Sequence, residues 1–492
     1  MTETAKKKRG MPSSFTILLA LLAIVAVITV IVSGTSGGAV TAARLSDFCT
    51  APILGFADAL PVCLFVMILG GFLGMMTETG ALDNGIAVLV QKLKGNEIML
   101  IPVLMLIFSL GGTTYGMCEE TVPFYALLAA TMMAAGFDPM VGAATVLLGA
   151  GCGCLGSTVN PFAVGAAVDA LTGVDIAVNQ SIIIGLGAVL WIVTTAMSIV
   201  FVMNYAKKVK ADKGSTILSM QELKDAEEAH GKAASEVNKE VKLTGRQKGV
   251  LIAFAFTFVV MIVGFIPLAD LNEGVANFFD AGAVYDADGN AVVQGWSALI
   301  TGLPIGQWYF DEASTWFFLM AILIGIIGGL SEKQIVNTFI TGAADMMSVV
   351  LVIALARGIS VLMANTGLDV YVLDAAAKAL AGLSGVIFAP MSFLVYFGLS
   401  FLIPSTSGMA TVSMPIMGPL AVKLGFSPEV MVMIFSAAIG VVNLFTPTSG
   451  AIMGGLALAK IEWTTWLKFA LKLIVALSVV CAVILTVACV LL

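Results

Sequence analysis

Histidine is nearly missing from this 492-residue chain: His230 is the only one, and it lies in a charged stretch between two apolar halves. A histidine relay through an apolar interior is thereby excluded, so carboxylates would have to carry any protons that cross. Charge is also scarce, with 11% Asp, Glu, Lys and Arg against 59% hydrophobic residues and a mean hydropathy of +1.03. That composition excludes an ordinary soluble domain and identifies a polytopic membrane protein. From Gly249 to Glu332 there is no Lys or Arg at all. The seven cysteines are scattered, and Cys63, Cys118, Cys152, Cys154 and Cys481 sit in apolar stretches without metal-site spacing. This excludes a disulfide framework or a zinc site and leaves Cys152-Gly153-Cys154 as packing residues. Metal and nucleotide motifs are lacking, which argues against an enzyme, and nothing supports a nucleic-acid partner.

Glycine, by contrast, is plentiful at 51 residues, which suits helices that pack closely or unwind in lipid. One motif occurs twice. The first copy reads Gly111-Gly112-Thr113-Thr114-Tyr115-Gly116-Met117, then Pro123, Phe137-Asp138-Pro139 and Ser157-Thr158-Val159-Asn160-Pro161. The second reads Pro404-Ser405-Thr406-Ser407-Gly408-Met409, then Pro415, Phe426-Ser427-Pro428 and Thr446-Pro447-Thr448-Ser449-Gly450. Aligning Gly116 with Gly408 gives an offset of 292, and aligning Pro139 with Pro428 gives 289. Matching interruptions in two apolar halves point to a secondary transporter built from repeats.

Charge sets the expected topology. Lys6, Lys7, Lys8 and Arg9 precede an apolar run from Phe15 to Val32, read as a retained helix with a cytoplasmic N-terminus. Lys207 to Lys248 carries ten basic and seven acidic residues, so this linker is placed in the cytoplasm too, as a solvated tether with a helical stretch. The first half then needs an even number of crossings, met by spans at 15–32, 60–76, one within 140–172, and 181–204. The arm Ile98 to Leu110 has 13 residues, or about 20 Å at 1.5 Å per residue, against a hydrocarbon core of about 30 Å. Segment 98–135 is therefore expected to be a re-entrant hairpin turning at Gly111 to Gly116. The second half repeats the plan upside down, with spans at 249–266, 314–330 and 346–363, a hairpin at 386–422, a broken span at 429–459 and a last helix at 465–492 ending outside. The expectation is an all-α polytopic membrane fold of two inverted-topology repeats, 1–205 and 249–492, joined by the linker 206–248. Such symmetry gives two nearly equivalent states facing opposite sides of the membrane.

Unwound backbone survives in lipid only where protein buries it or it lines a cavity, so the hairpin tips and breaks are expected to meet. Gly112, Thr113, Thr114, Tyr115, Ser157, Thr158 and Asn160 would line one half of a site; Ser405, Thr406, Ser407, Asn443, Thr446, Thr448 and Ser449 would line the other. Glu119 and Glu120 stand just beyond the first tip, where intramembrane charge points to function. One of the pair is expected to face the site and the other a scaffold partner or the wall. Arg357 would bind a substrate carboxylate or pair with Glu119, Glu120 or Asp345.

The run Gly111 to Tyr125, the run Gly153 to Phe162, Gly70-Gly71-Phe72-Leu73-Gly74, Glu78-Thr79-Gly80-Ala81-Leu82-Asp83 and Met11-Pro12-Ser13-Ser14 resemble the YfcC family, essentially over the whole chain. That family is similar to the C4-dicarboxylate anaerobic carriers and belongs to the ion transporter superfamily. The resemblance implies opposed hairpins, a dimerising scaffold, an elevator-like transport domain and a bacterial inner-membrane location. Some family members exchange arginine for ornithine, and the Glu119–Glu120 pair suits such a cationic cargo. The alternative cargo is a C4-dicarboxylate or other organic anion moved with H⁺ or Na⁺. Sodium-coupled members carry Ser-Asn-Thr at their tips, whereas these read Gly-Thr-Thr and Ser-Thr-Ser. No cofactor is expected, and the partners are a small-molecule substrate, the lipid bilayer and a second copy of the chain.

Overall fold

The structure is a computed structural model describing residues 14–82, 84, 85, 88, 96–237, 242–271, 273–286, 291–403 and 405–492. The basic cluster at 6–9, Met11 to Ser13, Asp83 and Pro404 lie outside the described residues. Almost everything described is helical, and nine of the described helices are long and apolar enough to cross a membrane. The chain is an all-α polytopic membrane protein.

The helices form two sets. An outer set comprises Ser14–Ser33, Leu45–Asp58, Leu60–Glu78, Gly245–Phe265, Phe310–Gly328, Glu332–Asp345 and Met347–Thr366, packed mainly on one another. An inner set holds the hairpin helices Leu100–Tyr115 and Val122–Ala134, then Gly385–Leu402 and Thr406–Lys423. It also holds the broken helices Pro139–Leu155 with Ala166–Thr172, and Pro428–Val442 with Gly450–Leu458, and the long helices Gln180–Ala211 and Trp463–Leu491.

Glycine contacts expose the repeat. Gly55 meets the backbone of Gly358, and Gly342 meets Gly70 and Gly71, so closely that any side chain would overlap the neighbouring helix. An offset of 287 converts the first crossing into the second, since Gly55 maps to Gly342 and Gly71 to Gly358. Further along, an offset of 289 relates the helix N-caps Asp138 and Ser427, and Asn160 and Ser449. The offset of 292 through Gly116 and Gly408 therefore matches similar letters at non-equivalent positions. The two broken helices run antiparallel where they meet, Gly151 against Leu444 and Gly440 against Leu155.

Two expectations need correction. The first hairpin does not begin its turn at Gly111: the helix, which with a preceding 3₁₀ turn runs from Glu97, continues through Tyr115 and turns only at Gly116. Its 19 residues reach about 28 Å at 1.5 Å each, so length alone would let it cross. Gly111 and Gly112 do not break it; Gly112 instead lets it lie against Ala150 and Gly153. The hairpin rests on direction instead. Met105 and Phe108 pack on Gly149, and Ser109 and Gly112 on Gly153, so this arm runs parallel to Pro139–Leu155. Val122–Ala134 leads through a tight turn into Pro139–Leu155 and packs back on it, Leu128 against Gly142.

The linker is not a solvated tether. Its helix Met220–Val237 packs on Val122–Ala134. Thr216 Oγ1 donates to the Asp138 carboxylate at 2.7 Å, and Glu222, 3% exposed, accepts from the amides of Ser219 at 2.8 Å and Glu462 at 2.9 Å. His230 Nε2 lies 3.0 Å from the carbonyl of Leu458. Linker, first hairpin and second broken helix are thereby joined.

Candidate functional site

The first break runs from Gly156 to Asn160, and its polar groups close on themselves. Thr113 Oγ1 donates to the Gly156 carbonyl at 2.6 Å, while Thr158 donates to Thr113 O through its amide at 2.8 Å and its hydroxyl at 3.0 Å. Ser157 donates to Cys154 O and Asn160 Nδ2 to Ser157 Oγ. Asn160 Oδ1 caps the resuming helix, accepting from the amides of Phe162 at 2.9 Å and Ala163 at 3.3 Å. Buried polar backbone is satisfied in this way by groups of the break itself and of Thr113. At the tip, Gly116 adopts φ +79°, and an added Cβ would lie 2.6 Å from Asn160 Oδ1. Only glycine lets tip and break touch there.

The second break is held from the last helix. Trp466 Nε1 donates to Leu444 O at 2.9 Å and Trp463 Nε1 to Phe445 O at 2.7 Å. Thr446 and Thr448 share a hydroxyl bond of 2.7 Å. Ser405 and Ser449 are N-caps, accepting from the amides of Gly408 at 3.1 Å and Ile452 at 3.5 Å.

Between the two helix sets lies a cavity of about 470 Å³, within the usual range for small-molecule sites. It gathers Glu119, Glu120, Asn160, Ser405, Thr406, Ser407, Asn443, Thr448, Ser449 and Arg357 from the expected residues. Gly112, Thr113, Thr114, Tyr115, Ser157, Thr158 and Thr446 do not line it. Thr113, Ser157, Thr158 and Thr446 bind the breaks internally, and Thr114 bonds back to Leu110 O at 2.7 Å. Tyr115 is fully buried and stacks on Phe265 at 5.5 Å.

Glu120 is 2% exposed and accepts from the Cys118 amide at 3.0 Å, so its carboxylate holds the tip. Glu119 is half-buried on the same cavity wall. Arg357 pairs with none of its expected partners; its Nε lies 3.7 Å from Asp58 Oδ2. Asp58 escaped the sequence reading because it ends a short helix in a region read as connecting chain. Also unforeseen on the wall are Asp169, Ser436, Phe162, Tyr309 and Phe310, with Phe162 stacked on Phe310 at 5.3 Å. Ser436 carries no sequence signal, since it lies within an unbroken apolar run.

The family model described as C4-dicarboxylate anaerobic carrier, DcuC, matches residues 38–490. The chain belongs to this family. As a member of the C4-dicarboxylate anaerobic carrier family it is a multi-pass membrane transporter. It is 28% identical over 445 residues to a Haemophilus influenzae protein of uncharacterised function, covering 90% of this chain and 78% of the relative. It is 27% identical over 440 residues to YfcC of Escherichia coli K12, provisionally named a basic amino acid antiporter, covering 87% and 77%. Among solved structures, MtrF of Neisseria gonorrhoeae, described with a class of antimetabolite efflux pumps, aligns at 17% identity with a TM-score of 0.44, covering 98% of this carrier and 96% of MtrF. The YdaH transporter of Alcanivorax borkumensis aligns at 15% identity with a TM-score of 0.47, covering 96% and 97%.

Proposed function

We propose that this carrier exchanges basic amino acids, of the arginine and ornithine type, by alternating access. One observation supports this above others: the cavity wall carries the carboxylates Asp58, Glu119, Glu120 and Asp169 against the single guanidinium of Arg357. Asp58 already engages that guanidinium. A dicarboxylate would add two negative charges to a wall already rich in them, whereas an ammonium or guanidinium offsets Glu119, which forms no ion pair among the described residues. The name of the Escherichia coli relative points the same way. The family description favours a C4-dicarboxylate, which makes succinate the competing cargo.

Motion would carry the inner helix set past the outer one, with the cavity at the seam, in the manner of an elevator. The carrier would work as a homodimer in the bacterial inner membrane, N-terminus inside and C-terminus outside, with no cofactor and with H⁺ or Na⁺ as the candidate coupling ions. Counterflow tests the cargo. Proteoliposomes loaded with unlabelled arginine should accumulate labelled ornithine at zero potential and without Na⁺. Silence there, with accumulation when succinate is loaded and supplied, would overturn the proposal.

A further inference from the structure

We infer that the second repeat's half of the cavity is a carboxylate subsite, formed by Ser436 and the N-termini of helices Thr406–Lys423 and Gly450–Leu458. It holds an amino acid's carboxylate while Glu119 of the first repeat takes the side-chain cation. This rests on the cargo proposed above and gives it an orientation.

The cavity is polarised by repeat. All four of its carboxylates, Asp58, Glu119, Glu120 and Asp169, belong to the first half of the chain, and its one positive side chain, Arg357, belongs to the second. The second half also brings two helix starts to the wall, at Thr406 and Ser407 and at Gly450. First-turn amides lack an intrahelical acceptor, and a helix N-terminus carries about half a positive charge. In the first half Asn160 Oδ1 takes the amides of Phe162 and Ala163, and Glu120 takes that of Cys118. In the second half Ser405 takes that of Gly408 and Ser449 that of Ile452, which leaves the amides of Thr406, Ser407, Gly450 and Ala451 without an acceptor among the described residues. The carboxylates thus leave the first half electronegative, and the free first-turn amides leave the second half open to an anion.

Ser436 is the independent sign of a ligand. It is 2% exposed, and its hydroxyl has no hydrogen-bond partner among the described residues. Comparable buried hydroxyls close onto the carbonyl one turn back, as Thr145 does onto Val141 at 2.8 Å and Ser400 onto Tyr396 at 2.6 Å. Ser436 does not, nor do Tyr115, Thr195, Ser314, Ser360 and Ser392, but of these Ser436 alone lines the cavity, on a helix face shared with Ile439, Gly440 and Asn443. A buried donor without an acceptor, on a cavity wall that also carries two helix N-termini, fits a carboxylate oxygen. Arg357 is the rival anchor, its Nε 3.7 Å from Asp58 Oδ2, and Arg357→Gln separates the two.

The test compares arginine with agmatine, which keeps the guanidinium and lacks the carboxylate, as competitors of labelled-arginine exchange by the full-length carrier in liposomes. Wild type should prefer arginine by about tenfold or more, the worth of a charge-assisted hydrogen bond. Ser436→Ala should weaken arginine several-fold and leave agmatine unchanged, while Ser436→Thr, which keeps the hydroxyl, should preserve the preference. Equal competition in wild type, equal weakening of both ligands in Ser436→Ala, or loss of the preference only in Arg357→Gln would overturn the inference. If neither compound competes and succinate does, the cargo proposal fails, and this orientation fails with it by a separate signature.

Discussion

Replacing Glu119 by Gln changes the charge of the cavity wall with almost no change in shape. Its neighbour provides the internal comparison, because Glu120 is buried and holds the Cys118 amide at 3.0 Å, whereas Glu119 forms no ion pair among the described residues. A cation about 4 Å from a carboxylate gains about 4 kcal/mol at an effective dielectric of about 20. Glu119 is only half-buried, so solvent screening reduces this to about 2 kcal/mol, or about 30-fold in affinity. Glu119→Gln should therefore raise the half-saturating arginine concentration about 30-fold in proteoliposome exchange while leaving the thermal unfolding midpoint in place. Glu120→Gln should have a smaller effect, since the amide oxygen still accepts from Cys118. Half-saturation within twofold of wild type in Glu119→Gln, or equal loss in both variants, would refute the assignment of Glu119 to the substrate cation.

Three further outcomes follow from the same geometry. Gly116→Ala should cost about 1–2 kcal/mol for the left-handed backbone and about 1 kcal/mol more for displacing the Asn160 cap. Gly136→Ala, at φ +85° with open space around it, should cost the backbone share alone, and equal shifts in unfolding midpoint would contradict the proposed tip-to-break contact. Burial holds the pKa of His230 below its ordinary 6.5, with the Leu458 carbonyl opposing and Lys460 adding to the depression. The undocked linker then binds the proton more readily, so docking is intact above pH 6.5 and weakens as pH falls below it. Hydrogen exchange across Met220–Val237 should accelerate on acidification, and His230→Gln should remove that dependence. Arg357→Gln breaks a partly exposed ion pair worth at most about 1 kcal/mol, so its unfolding midpoint should move little; a large drop would mark the pair as structural.

Much of this architecture was legible from one dimension. Apolar runs gave the spans: the run from Phe15 to Val32 lies within the helix Ser14–Ser33, and 465–492 corresponds to Trp463–Leu491. The second hairpin, expected at 386–422, occupies Gly385–Leu402 and Thr406–Lys423. Less legible was what glycine and threonine do inside an apolar segment. Gly112 and Thr113 read as a break, yet the helix passes straight through them, because a missing side chain permits close packing as well as a turn and a hydroxyl can bond a neighbouring segment's carbonyl. The linker helix, polar by composition, gave no sign that Glu222 and His230 would find partners near Leu458 and Glu462.

Sequence by itself determined the membrane class, the repeat and the presence of carboxylates and hydroxyls at the interruptions, since each is a matter of hydropathy and order along the chain. Tertiary structure alone decided which of those groups face the cavity. Thr113, Ser157 and Thr158 turn inward to satisfy the first break, while Ser405, Ser449 and Ser436 reach the cavity wall, and Asp58 arrives there from an unmarked helix to take Arg357. Most buried polar groups find a partner, and which partner is within reach depends on distances across the fold that the order of residues does not contain.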